Sequence, residues 1–251
     1  MIIKDSIYME PFGCQRRLHI YLPDDIQAGE RFPVLYMFDG HNLFLDSDAA
    51  YGKSWGMKDY MDRHNVRMIV VGLECNHEGW ARLDEFSPYS YYDPCDYQVN
   101  QKGQITAQWM KTVLKDYIDH TYPTLAGRGQ TFVGGSSMGG LMALYMTLMH
   151  SDCYGKGIAV SPFLYPLFDS LKADLGHPVH PDTTLYISWG GREENSQELA
   201  SLVTDQNLQV VRAFLEKPGV TVYPYCFHDH GHYEADWEKE MPVWMGLLKG
   251  C

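Results

Sequence analysis

Short apolar runs alternate with amphipathic stretches along most of the chain, and their two periods predict its elements. Residues 2–9 and 15–22 read as strands. In the second, Leu18, Ile20 and Leu22 alternate with Arg17, His19 and Tyr21, the period of a half-exposed antiparallel strand. After the Pro23-Asp24-Asp25 turn the apolar positions become continuous over 33–39, 67–74, 130–135, 155–161, 184–190 and 220–227. Runs of that length suit strands covered on both faces. Between them, residues 104–120, 139–149, 197–216 and 234–248 carry helical spacing. The alternation predicts an α/β chain: a mostly parallel central sheet, helices on both faces, and the N-terminal pair as antiparallel edge strands. The segment 75–100 breaks the rhythm. It is long and irregular, and it holds Trp80, Phe86, Tyr89, Tyr91, Tyr92 and Tyr97 among prolines and acidic residues. A stretch of that length inside a compact domain has a function or a local fold of its own.

Composition narrows the class. With 251 residues, 45% of them hydrophobic and 21% charged, and with no repeat or Pro/Ser-rich linker, the chain is expected to form one domain over 1–251. A net charge of -12 without any basic block argues against nucleic acid as a partner. The opening MIIKDSIYMEPFG lacks a basic segment followed by an apolar core, and no apolar run is long enough to span a bilayer, so a cytoplasmic protein without a membrane partner is expected. Cysteines at 14, 75, 95, 153, 226 and 251 form no C-x-x-C pair, which favours reduced thiols over a disulfide framework or zinc knuckle. The oligomeric state is not written in these patterns.

Candidate chemistry centres on VGGSSMGGL, residues 133–141. A G-x-S-x-G frame fits Ser137, flanked by Gly135 and Gly139; on Ser136 it would need glycine where Met138 stands. An apolar strand runs into this serine and an apolar helix leaves it, the context of a nucleophile elbow. Side chains two residues either side of such a turn would collide, so Gly135 and Gly139 are read as clash relief and Gly140 as close approach of helix to sheet. The Met138 N–H stands at a helix N-terminus, where the dipole favours an oxyanion. The competing reading is a glycine-rich structural turn; a P-loop is excluded by the missing G-K-[ST].

A serine nucleophile demands partners in the order nucleophile, acid, histidine, each on a loop after a strand. After the last strand stand His228, His230 and His232, of which His232 lies farthest beyond the strand. Three alternate histidines also suggest a metal site. There is no H-E-x-x-H, however, and no other cluster is spaced to complete one, so neither metal nor organic cofactor is expected. After 184–190 the chain reads Gly190-Gly191-Arg192-Glu193-Glu194, so Glu193 and Glu194 are both candidate acids. A second oxyanion donor is expected from the loop after 33–39, where Gly40 lets the backbone approach the substrate and the His41 N–H faces the site.

These motifs together, VLYMFDGHNLF, RLDEFSPY (82–89), VGGSSMGGLMALY, SWGGREE and HGHYEADW, resemble the Putative esterase family of α/β-hydrolases, which includes feruloyl and acetylxylan esterases, siderophore trilactone esterases and mycolyl transferases. They run in order from about residue 33 to 240. The resemblance implies an α/β-hydrolase fold and a serine carboxylic-ester hydrolase working through an acyl-enzyme. Ser137 would be its nucleophile, His232 its base, and the glutamate of a G-x-x-E segment its acid, with Met138 and His41 as backbone oxyanion donors. Glu193 matches that segment better than Glu194. S-formylglutathione hydrolases are similar to a lesser degree, because they carry a histidine before the nucleophile and an aspartate acid. The substrate class left open is a small acyl, aryl (feruloyl-type) or sugar ester. An acyltransferase with the same triad and a non-catalytic binding protein on the same fold are the alternatives. The aromatics of 75–100 and of SPFLYPLF (161–168) are read either as a lining for an aryl or sugar group or as packing.

Overall fold

The computed structural model describes residues 1–93 and 95–249. Cys251, one of the six cysteines, lies outside them. Its centre is an eight-stranded sheet. In chain order the strands are β1 (Ile2–Met9), β2 (Cys14–Tyr21), β3 (Val34–Phe38), β4 (Ile69–Leu73), β7 (Thr131–Ser137), β8 (Lys156–Pro162), β9 (Thr184–Gly190) and β10 (Thr221–Phe227), and β5 (Tyr91–Asp93) with β6 (Tyr97–Val99) forms a separate hairpin. The sheet order is β1-β2-β4-β3-β7-β8-β9-β10. From β4 to β10 all neighbours are parallel; β1 and β2 add the antiparallel edge. This is the architecture the periodicity predicts.

Strand alternation sorts side chains onto two cores. Tyr36, Phe38, Val71, Val133, Ala159 and Ile187 join one cluster, while Leu35, Met37, Val70, Phe132, Ile158 and Tyr186 join the other. The first face is covered by α2 (Ala81–Phe86), α3 (Gly103–Trp109), α4 (Lys115–Thr121), α5 (Met138–Met149), α6 (Phe168–Asp174) and α7 (Gln197–Leu215). The second is covered by α1 (Met57–Arg63) and α8 (Glu234–Lys249), with Trp55, Trp237 and Trp244 packed ring against ring. The expected helix 104–120 is α3 and α4 joined by one wider turn over Met110–Leu114.

Two strand expectations are corrected. On its expected wet face β2 exposes Arg17 but not the rest: His19 and Tyr21 are buried as well as Leu18 and Ile20, His19 against Glu74 at 2.6 Å and Tyr21 under α1, whose Asp62 accepts its hydroxyl at 2.8 Å. Conversely, β10 is not covered on both faces. It is the sheet's last strand, Tyr223 and Tyr225 are exposed, and Pro224 lies within it, a residue that strands tolerate at an edge.

The segment 75–100 has a local fold, and the charges of RLDEF hold it. Arg16 of β2 donates to both carboxylate oxygens of Glu85 at 2.9 and 2.8 Å, with both side chains 6% exposed. Asp84 accepts from the Asn100 backbone N–H at 2.9 Å, from Tyr97 Oη at 3.2 Å and from Lys102 Nζ at 2.8 Å, closing the base of the hairpin. Most aromatics here pack: Phe86 against Phe38, Tyr89 against Tyr145, Tyr91 against Phe163, and Trp80 on Tyr97. Residues 161–168 do likewise, with Leu164, Leu167 and Phe168 in the core.

Removing one partner of the buried pair strands the other charge in a low-dielectric site. Glu85→Ala is expected to lower unfolding free energy by about 3–5 kcal/mol, read from urea denaturation; a loss below about 1 kcal/mol would mean that Arg16 reaches water.

Candidate active site

Three neighbouring strands, β3, β7 and β8, carry a residue of positive φ at or beside their C-terminal ends: Asp39 (φ 55°), Ser137 (φ 56°) and Ser161 (φ 43°). Such conformations cost a non-glycine residue about 1–3 kcal/mol each and cluster at functional sites. At Ser137 the chain turns from β7 directly into α5. A Cβ on Gly135 would come within 2.6 Å of the Gly139 backbone, so the reversal admits no side chain there. Met138 is the first residue of α5, and its N–H has no intrahelical acceptor. Beyond β3, Gly40 begins a single helical turn, Gly40–Asn42, with His41 in its middle. Gly40 also serves strand-to-loop packing, because a Cβ there would collide with the Gly72 carbonyl of β4.

Ser137 and His232 line one cleft of about 660 Å³, together with His41. His232 Nδ1 lies 3.1 Å from Glu193 Oε2, and the Glu193 side chain is 6% exposed. The other oxygen of Glu193 accepts the Ser161 hydroxyl at 2.6 Å and the Gly190 N–H. Ser161 Oγ in turn accepts Trp237 Nε1–H at 2.9 Å, and the Trp237 ring stands edge-to-face to His232 at 5.0 Å. Glu193 is thereby fixed at both oxygens. Backbone bonds stitch the two loops together: Gly191 N–H to Phe227 O and Arg192 N–H to His230 O, both at 2.9 Å, while Gly231 N–H donates to Asp236 Oδ2 at 2.7 Å.

Of the two candidate glutamates, then, Glu193 meets the histidine. Burial and the Glu193 charge push the Glu194 carboxyl upward, with His232 opposing. His228 and His230 do not join His232: His228 is exposed beside Asp229, and the His230 ring stacks on Phe227.

Several residues of the cleft have roles that the motifs do not show. Arg82 donates to both oxygens of Asp39 at 2.8 and 2.7 Å. Burial raises the Asp39 carboxyl, but Arg82 outweighs it and holds the group below the usual carboxylate range. Cys75, Asn76 and His77 form one wall, with the Cys75 thiol pushed up by burial and by the Asp39 charge. The aromatic lining comes from Tyr51, Tyr233 and Trp237, none of them in the two segments read as possible linings. The signal that could have pointed to Ser161 is its place at the C-terminal end of a buried strand, where Asp39 and Ser137 also stand.

This sheet, with a strained serine at the end of its central strand, is the α/β-hydrolase fold. The Putative esterase family matches residues 10–244, and the chain belongs to it; its activity is carboxylic-ester hydrolysis. Similar solved structures include an IroE-like serine hydrolase from Shewanella oneidensis (15% identity, TM-score 0.82, 100% of this chain and 80% of that one). A ferulic acid esterase (18%, 0.70, 100% and 97%) and the enterobactin esterase of Shigella flexneri (18%, 0.70, 99% and 58%) share the fold too.

Beneath the histidine loop, Glu240 of α8 accepts the Tyr186 hydroxyl at 2.7 Å and is 2% exposed. Burial pushes its carboxyl from 4.5 up to about 7, the Tyr186 hydrogen bond opposing and the Glu193 charge adding to the rise. Because the folded value lies above the unfolded one, the group's favourable contribution is complete below pH 4.5 and is lost as pH rises through about 7. Glu240→Gln is expected to flatten the fall in urea midpoint between pH 5 and 8; an unchanged slope would locate that titration elsewhere.

Proposed function

We propose that the chain is a serine carboxylic-ester hydrolase with Ser137 as nucleophile, His232 as general base and Glu193 as the acid that orients it. The observation that carries this reading is the His232–Glu193 contact of 3.1 Å in a cleft that Ser137 also lines. With Nδ1–H directed at Glu193, the His232 Nε2 lone pair is left to take the Ser137 proton as its Oγ attacks the ester carbonyl. The Met138 and His41 N–H groups would receive the oxyanion, the first aided by the α5 dipole. Collapse expels the alcohol, protonated by His232, and leaves an acyl-enzyme. Water deprotonated by His232 then releases the acid. No step calls on a metal or organic cofactor.

The cleft suits a small acyl, aryl or sugar ester. Tyr51 and Tyr233, 84% and 60% exposed, can stack on a flat ring at its mouth, in keeping with a neighbour named for ferulic acid.

The test is hydrolysis of p-nitrophenyl esters from acetate to octanoate, plus ferulate. Ser137→Ala is expected to lose about 10⁴–10⁶ in kcat, and Glu193→Gln about 10⁴, while Glu194→Gln stays within about tenfold of wild type. Equal activity of Ser137→Ala and wild type would end the serine mechanism, and the reverse order of the two glutamates would exchange their roles. Added alcohols that divert the acyl group from water would favour an acyltransferase.

Ser161→Ala removes one donor to Glu193 without touching substrate. A fall in kcat of about 10-fold at constant KM is expected, with the acidic limb of the pH–rate profile displaced; a change in KM alone would assign Ser161 to substrate binding instead.

A further inference from the structure

We propose that His41, Cys75 and His77 form a binding site for a thiophilic divalent ion, zinc fitting best, in the cleft that Ser137 also lines. One ligand atom from each of the three lies within 4.8 Å of the other two. Zinc–sulfur and zinc–nitrogen bonds of about 2.3 and 2.0–2.1 Å place tetrahedral ligands about 3.3–3.6 Å apart. Cys75 Sγ and His77 Nδ1 already stand at 3.8 Å. The ligand atoms, within 4.8 Å of one another, need to close by about 1 Å at most to reach that spacing.

Topology makes the cluster. β3 and β4 are parallel neighbours, so the turn bearing His41 and the loop bearing Cys75 and His77 leave the same edge of the sheet side by side. Gly40 and Gly72 let them approach without side chains between.

Two further observations point to a ligand. His41 is 7% exposed, and its Nδ1 is enclosed without a hydrogen-bond partner, an unusual state for a buried polar atom. His77 Nε2 lies 3.0 Å from Glu74 Oε1, and the other Glu74 oxygen is held by His19 Nε2 at 2.6 Å. A carboxylate behind one imidazole nitrogen, leaving the other bare, is how proteins orient metal-binding histidines. It fixes the proton on Nε2 and turns the Nδ1 lone pair toward Cys75.

Two imidazoles and a thiolate select zinc over magnesium or calcium. Three protein ligands leave the fourth position to water or an anion on the cleft side. On binding, Cys75 releases its proton to solvent and coordinates as thiolate, so the metal adds charge +2 and displaces one proton. The ion occupies space beside the oxyanion loop and therefore blocks ester turnover reversibly. That consequence rests on the serine mechanism proposed above; the binding does not.

The test titrates chelator-stripped, gel-filtered protein with Zn²⁺ by calorimetry and with Co²⁺ by absorbance. One equivalent is expected, with a thiolate-to-cobalt charge-transfer band in the near ultraviolet. Cys75→Ser should abolish the band. His77→Asn, at an exposed position that folding tolerates, should weaken zinc binding beyond the 10- to 100-fold loss expected of Glu74→Gln. Ser137→Ala should bind zinc as wild type does. Zinc should inhibit p-nitrophenyl acetate hydrolysis reversibly with EDTA, and His77→Asn should resist inhibition relative to its own zinc-free rate. Absence of stoichiometric binding overturns the site, as does binding unchanged in folded Cys75→Ser and His77→Asn or lost instead in His228→Asn. Zinc binding to a protein that hydrolyses no ester upholds the site while the serine mechanism fails.

Discussion

The left-handed turn at Ser137 is the constraint on which the rest of the molecule depends. A serine at φ 56° between a strand and a helix exists only if the chain can reverse without side chains in the way. Gly135 and Gly139 remove them, and their close approach places α5 against the centre of the sheet. Beside the ends of the flanking strands β3 and β8, Asp39 and Ser161 also have positive φ. Each strained residue is secured differently. Asp39 is held by Arg82, and Ser161 by Glu193 and Trp237, whereas the Ser137 side chain is turned to the cleft. Strain is thus met by hydrogen bonds on both sides of the residue whose side chain must stay available.

The main strands were legible because their apolar runs are continuous or strictly alternating, and the site because its residues sit in short local patterns. The eight main strands lie within a residue or two of their predicted spans. Ser137, His232 and Glu193 follow from G-x-S-x-G, from a position beyond the last strand and from a G-x-x-E segment, and the folded chain brings the last two into contact. What stayed hidden was short or remote. α1, α2 and α6 have only six or seven residues, too few for a helical period to declare itself. The Ser161–Trp237 hydrogen bond spans 76 residues, and no spacing rule joins a serine after one strand to a tryptophan in the final helix. The His41–Cys75–His77 cluster is invisible for the same reason: His41 meets Cys75 and His77 only because β3 pairs with β4.

The misjudged strands carry the same lesson about period and context. Alternation in β2 implied one wet face, yet His19 and Tyr21 are buried, since a polar tip with a partner can be covered where a bare one cannot. Continuous apolarity in β10 implied two dry faces, yet position at the sheet's edge leaves it exposed. Pattern reports what a side chain tolerates; sheet order decides what it meets.

The two walls of the cleft are held by different forces. The wall carrying His232 and Glu193 is stitched by backbone hydrogen bonds between the loops after β9 and β10, which salt weakens little, and braced by α8. The wall carrying Cys75 and His77 is held largely by charge, Arg82 on Asp39 and Arg16 on Glu85, with His19 and His77 hydrogen-bonded to Glu74. Buried pairs of this kind contribute little net stability, because desolvation offsets their attraction, but a missing partner is severely penalised, so they specify position. The ionic staples therefore fix where the 75–100 segment sits more than they strengthen the fold. One wall keeps the candidate acid and base in register; the other sets what can enter opposite them.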